Sequence, residues 1–232
     1  MNLVRLFSTN FSWHTALLFG GSVDFYHRYF MIQSILPLLD DGIILDVGSG
    51  KIGIGAFLQH NPDIICLDID PHSVKSTTGH PIVASASNIP LRPVIAVSVS
   101  ADCYEHLPRT IRKDFIKDLV SISRSVILHF PTGKYAEECD IRFDRTHIRL
   151  FGSPQKMHAE HLRYGLPTLD ELNLPTHTRV TIPSQNANIN YILFVLQSIP
   201  VLGWFTGILF KLLLQGRYDK PPYYSCMVVW VR

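Results

Sequence analysis

Residues 44–55, ILDVGSGKIGIG, decide the fold. A short apolar run ends at Val47, Gly48, Gly50 and Gly53 follow, and residues 56–60 read as a short helix. Glycine at such a turn lets the backbone bend tightly and approach a ligand beside a helix N-terminus. The glycines alone are shared with nicotinamide and flavin enzymes and with chance turns. Asp46 narrows the reading, because an acid just ahead of the glycines suits a ligand carrying an ammonium group and repels a pyrophosphate. Beyond the loop, Asp68 closes the run ICLDID, where an acid accepts hydrogen bonds from ribose hydroxyls. Asp70 competes with it, and a solvated turn at Pro71 is the plain alternative.

Working outward, residues 25–39 show helical apolar spacing and end before the turn Asp40-Asp41-Gly42. Residues 43–47, 64–68, 81–84, 94–100 and 125–130 read as strands, and 109–124 as a helix. This alternation implies a doubly wound α/β sheet of parallel strands with crossover helices on both faces. Residues 132–154 are polar and read as loop-rich. Thr168 is placed as a helix N-cap with Glu171 at the capping-box position. Residues 179–182 and 223–231 read as further strands, and between them residues 189–214 are almost entirely apolar.

From about residue 42 to residue 133 the chain resembles the class I S-adenosylmethionine-dependent methyltransferases, in the subgroup that methylates small molecules and lipids. ILDVGSGKIGIGAFL resembles their first motif, and IICLDID their acidic second-strand end. VASASNIPL is similar to a segment they often write as an acid, Ala, two residues and Leu-Pro. VSVSADCYEHLP resembles their fourth-strand motif and VILHFPTG their fifth strand with its exit turn. The resemblance implies a Rossmann-like seven-stranded sheet with an antiparallel last strand, and S-adenosylmethionine as cofactor. It implies that Asp46, Gly48, Ser49 and Gly50 hold the methionine portion and Asp68 the ribose, with Gly53 and Ile69 as further cofactor-binding residues. Ser85 stands where many members have an acid for the adenine amino group; its hydroxyl can still accept a hydrogen bond. Ala86 would meet the adenine through its backbone, and Ser100, Ala101 and Asp102 would floor the sulfonium.

Methyl transfer is an in-line displacement, so alignment and desolvation supply most of the acceleration. A base serves only a hydroxyl or protonated amine acceptor. The candidates are His106, His129 and His161, each with a structural role as its plain alternative. His129 ends a strand, where open α/β sheets place their sites. His158, Glu160 and His161 are the closest metal-like grouping, yet their spacing matches no zinc site, and no metal is expected. The phrase EHLRYGLPTLDEL resembles the segment after the fifth strand in methyltransferases of glycan and lipid pathways, with Arg163 and Tyr164 as acceptor contacts. Tyr26, Arg28 and Tyr29 would close over the cofactor from an N-terminal lid.

The 232 residues suit one α/β domain. The expected division is a helical lid at 1–40, a cofactor-binding core at 41–135, an acceptor-side segment at 136–187, an apolar insertion at 188–217 and a final strand at 218–232. A net charge of +2 offers no broad basic surface for nucleic acid. Four scattered cysteines show no zinc or redox spacing and fit a reducing, cytoplasmic compartment. The N-terminal stretch lacks a clean apolar core and cleavage site, and reads as mature protein. With 47% hydrophobic and 17% charged residues the chain is apolar, and the excess sits in 189–214. Pro200 and Gly203 break that run into pieces too short to span a bilayer. Either they form a buried hairpin or subunit contact, or they lie peripherally in a membrane interface, with Lys211, Arg217 and Lys220 near headgroups. The expected function is methyl transfer to a small-molecule or lipid-linked acceptor in envelope glycan or lipid synthesis. The rivals are a nicotinamide-dependent oxidoreductase and a non-catalytic binding protein that keeps the fold.

Overall fold

The computed structural model describes residues 22–58, 63–75, 78–92, 95–172 and 178–231. The readings of residues 1–21, of 59–60 and of 94 lie outside the described residues. The strands are β1 (Ile44–Val47), β2 (Ile64–Asp68), β3 (His80–Val83), β4 (Ile95–Ala101), β5 (Ser123–Pro131), β6 (Thr178–Asn186) and β7 (Tyr223–Val231). They form one seven-stranded sheet in the order β3-β2-β1-β4-β5-β7-β6. The pairs β1–β2, β1–β4, β2–β3 and β4–β5 are parallel, with Asp46 level with Cys66 and Val99. β7 runs the other way. The Thr132 N–H, just past β5, bonds to the Tyr224 carbonyl at the start of β7, and the Ala187 N–H, just past β6, bonds to Pro222. β1 and β4 are buried at every position, as central strands covered on both faces should be.

Contacts divide the chain into two compact units. One comprises residues 35–130, 167–182 and 227–232. Its helices are α2 (Pro71–Val74) and α3 (Arg109–Ile122). α3 buries Arg112, Phe115, Ile116, Leu119 and Ile122, a single stripe at helical spacing. Leu169–Leu172 is one 3-10 turn, and Thr168 meets Glu171 without the reciprocal side-chain-to-backbone bonds of a capping box: the Thr168 hydroxyl donates to the Glu171 carboxylate at 3.4 Å and the Glu171 N–H to the Thr168 carbonyl at 3.2 Å. The other oxygen of that carboxylate lies 3.7 Å from Arg112.

The other unit comprises residues 1–34, 131–166 and 183–226. It holds α1 (Val23–Ile35, up to residue 34), α4 (Lys134–Phe151), α5 (Lys156–Tyr164), α6 (Ala187–Gln197), α7 (Pro200–Leu209) and α8 (Gln215–Tyr218). α4 corrects the loop reading of 132–154. Only Ala136, Cys139 and Phe143 supply its apolar stripe, so charged side chains mask the period, and a left-handed Gly152 ends it. Cys139, Phe143, Phe194 and Tyr224 pack together in one cluster, and Val23, Leu193, Phe210 and Tyr218 in another. Asn186 caps α6, its Oδ1 accepting from the Asn188 and Ile189 N–H groups. Pro200 opens α7 as its first residue and Gly203 lies inside it, so the apolar run breaks only at residues 198–199. Phe210–Leu214 continue as a π-helical turn.

Candidate functional site

The parallel strands β1, β2 and β4 all end at the same edge of the sheet, and their exit loops carry the expected cofactor residues. Gly48 leaves β1 with φ +73°, its N–H bonded to the Leu67 carbonyl at 2.8 Å. A Cβ at Gly48 would sit 2.6 Å from the Cys103 Cβ, so the β4 exit and the glycine loop touch where only glycine fits. Gly50 also has positive φ, and the space beside it is open.

Two carboxylates hold this loop in shape. The Asp68 Oδ2 accepts the Gly50 N–H at 2.8 Å, and its Oδ1 accepts the Asp70 N–H at 2.8 Å. Asp70 itself is half-buried and caps α2, accepting from the His72 N–H and the Ser73 hydroxyl. The acid beside the loop is therefore Asp68. Asp46 is fully buried, and its Oδ2 accepts the Ile54 N–H at 2.7 Å. Its Oδ1 and the buried Ser49 hydroxyl have no hydrogen-bond partner among the described residues. Burial pushes the Asp46 carboxyl up to about 7 against the pull of the Ile54 N–H, and the Asp68 charge adds to the rise.

Along the edge, Ile69 is 71% exposed. Ser85 is half-buried, its Oγ 2.8 Å from that of Ser87, with Ala86 following in the same turn. Ser100 and Ala101 end β4, with the Ser100 hydroxyl against the Cys103 thiol. Burial pushes that thiol up to about 12, so Cys103 packs as an uncharged group. Asp102 has φ +51°, its N–H bonded to the His129 carbonyl and its Oδ1 3.1 Å from His129 Nδ1. His129 is buried on β5, level with Ala101.

The turn after Asp102 rests on a residue that sequence reasoning passed over. Arg112 is buried and donates through Nε to the Leu107 carbonyl and through Nη2 to that of Glu105. Its guanidinium also faces the Tyr104 ring at 5.6 Å. It thus holds the 105–107 segment, including the half-buried His106. An arginine on the apolar stripe of α3 was the available signal.

In the other unit, His161 is buried on α5, with Nδ1 2.8 Å from the Asp140 Oδ2. Asp140 is buried, accepts the Tyr224 hydroxyl at 2.8 Å, and lies 3.7 Å from His158. Arg163 is exposed and faces the Tyr164 ring at 5.4 Å. Tyr26 and Tyr29 are core residues, and Arg28 pairs with Asp24, so these lid candidates pack inward.

The groups of the first unit suit an adenosyl ligand that ends in an ammonium. Orphaned Asp46 and Ser49 oxygens and the open cradle at Gly50 match its charged end. Asp68 retains lone pairs for ribose hydroxyls, and exposed Ile69 offers an apolar surface to a base.

The strand order and reversed β7 are those of the class I methyltransferase fold. No sequence family matches the chain, and no curated protein matches it in sequence. Solved structures do match in fold. A methyltransferase of an antibiotic biosynthesis pathway from Anabaena variabilis aligns with a TM-score of 0.52 at 13% identity, over 87% of this chain and 96% of that one. The plantazolicin methyltransferase BpumL, in complex with S-adenosylhomocysteine, gives 0.51 at 12%, over 87% and 81%. The mycolic acid cyclopropane synthase CmaA1, also with S-adenosylhomocysteine, gives 0.50 at 14%, over 88% and 83%. The chain is similar to these proteins in fold.

Proposed function

We propose that this protein is an S-adenosylmethionine-dependent methyltransferase acting on a small-molecule or lipid-linked acceptor in envelope glycan or lipid synthesis. The observation that carries the proposal is the glycine loop, anchored on Asp46 and Asp68 with buried polar atoms left open toward a charged ligand. S-adenosylmethionine, when bound, supplies a methyl group on a sulfonium.

The residues of the chain do the rest. Asp46, Ser49 and the 48–53 backbone hold the methionyl end. Asp68 takes the ribose, and Ile69, Ser85 and Ala86 take the base. Ser100, Ala101 and Asp102 close the floor and exclude water. For a hydroxyl or protonated amine acceptor, Asp102 orients His129 and Asp140 orients His161, each through Nδ1. Nε2 is then the ring atom that takes the proton. Together the segments serve one catalytic domain on the cytoplasmic side.

No helix among the described residues is long and apolar enough to cross a membrane. On α7 and the π turn, however, Trp204 is 72% exposed, Leu212 69% and Phe205 60%. This supports a peripheral contact in which these side chains enter the membrane interface beside Lys211. It brings a lipid-linked acceptor within reach.

Calorimetric titration with S-adenosylhomocysteine and, in parallel, with NAD tests the cofactor reading. Saturable binding of the first alone is expected; binding of NAD alone, or of neither, overturns it.

A further inference from the structure

The face of α4 turned toward α6 carries a feature that the cofactor site does not use. Arg142, Arg145 and Arg149 follow one another at helical spacing along α4 and line a groove of about 590 Å³ with Glu138, Thr146 and Tyr191. All three arginines are exposed, and none has an ion pair among the described residues. Glu138, the acid on the same stripe, is engaged by Lys134 at 3.6 Å. The groove therefore holds three uncompensated cations in a volume typical of a ligand site.

The groove is also ordered from within. The Thr146 hydroxyl donates to the Arg142 carbonyl at 3.0 Å, so the Tyr191 hydroxyl, 3.1 Å away, donates to Thr146. This chain fixes the Tyr191 ring, and the Arg142 guanidinium stacks on it at 3.8 Å from the centroid. Stacking holds the guanidinium plane and leaves its in-plane N–H fork directed sideways, the geometry that grips a phosphate with two parallel bonds. A lysine cluster would offer charge without that fork.

We infer that the α4–α6 groove binds the phosphate headgroup of an anionic phospholipid at a bilayer surface. The inference deepens the peripheral-membrane part of the function proposed above and rests on it. Two observations select a bilayer as the source of the phosphate. Tyr191, which orders the groove, lies on α6, and Ile192 beside it is an exposed apolar side chain. α6 leads directly into α7, whose Val201, Trp204 and Phe205 are exposed. Basic and apolar exposed side chains on consecutive packed helices complement the charged and apolar layers of an anionic leaflet.

Sedimentation of the full chain with vesicles tests this. One set is pure phosphatidylcholine and the other contains phosphatidylglycerol. At low salt each arginine near an anionic surface contributes about a fivefold gain, so the wild type should prefer the anionic vesicles about a hundredfold. Arg142→Gln/Arg145→Gln/Arg149→Gln should lose nearly all of that preference, down to the few-fold that Lys211 sustains, while keeping its melting temperature and its S-adenosylhomocysteine affinity. A control, Lys113→Gln/Lys117→Gln on α3, should keep the preference. An unchanged preference in the triple variant, or an equal loss in the control, overturns the inference. So does glycerol 3-phosphate binding the wild type as tightly as the vesicles do, since the source would then be a free phosphate. Separately, Trp204→Ala/Phe205→Ala should weaken binding to both vesicle types equally, which reads the apolar contact independently of the groove. The S-adenosylhomocysteine titration reports the cofactor reading by itself, so either idea can fail without the other.

Discussion

Binding S-adenosylhomocysteine at different pH values probes the electrostatics of the glycine loop through Asp46. Its carboxyl sits at about 7 because burial disfavours the charge. At about pH 6 roughly nine in ten molecules then carry the proton before ligand arrives. An ammonium seated on the loop favours the carboxylate, so binding expels that proton. The expected release is about 0.9 proton at about pH 6, about half at pH 7 and about 0.1 at pH 8. The dissociation constant should fall about tenfold per pH unit up to about 7 and level off above it. Calorimetry in two buffers of different ionisation enthalpy measures the release, and Asp46→Asn should remove it. The same rise in pKa bears on stability without ligand. The folded protein holds the proton between 3.8, the ordinary value, and about 7. Stability from this group is therefore fullest below 3.8 and is lost as pH rises through about 7, by up to about 4 kcal/mol. Urea denaturation at several pH values should show the decline in the wild type and not in Asp46→Asn. No proton release near pH 6, or an equal release in Asp46→Asn, would refute the assignment of Asp46 to the ligand's ammonium.

Gly48→Ala puts a methyl group 2.6 Å from the Cys103 Cβ at a backbone φ of +73°. The left-handed conformation alone costs about 1–2 kcal/mol. S-adenosylhomocysteine affinity should drop more than tenfold by calorimetry, and Cys103→Gly should restore part of it; wild-type affinity in the single variant would show that the loop does not need this contact. Arg112→Met leaves the Leu107 and Glu105 carbonyls without this donor and the Glu171 carboxylate without the cation 3.7 Å away. Urea unfolding should show a loss of about 3 kcal/mol. A loss under about 1 kcal/mol would mean that Arg112 does not hold the 105–107 segment.

What could be read from the sequence follows from how each element is stabilised. β1, β4 and β7 are buried along almost their whole length, so their apolar runs announce them, and residues 223–231 were bounded from pattern alone. The glycines and acids of the β1 and β2 exits were legible because backbone geometry there dictates the residue type. α4 was hidden for the opposite reason. Its buried stripe includes Asp140, a charged residue made tolerable by His161 and Tyr224, which lie 21 and 84 residues further along the chain. No local period can show such a partner. Arg112 escaped in the same way, since its value lies in carbonyls presented by a turn rather than in its own neighbours on α3. The exposure of Trp204, Phe205 and Leu212 could not be inferred either: an apolar run looks the same whether a core covers it or nothing does. Pattern reports what a residue can bury, and only the fold reports whether it has been buried. That difference separates the glycine-loop edge, fixed by backbone requirements, from the exposed faces of α4, α6 and α7, whose use depends on side chains that the local pattern cannot place.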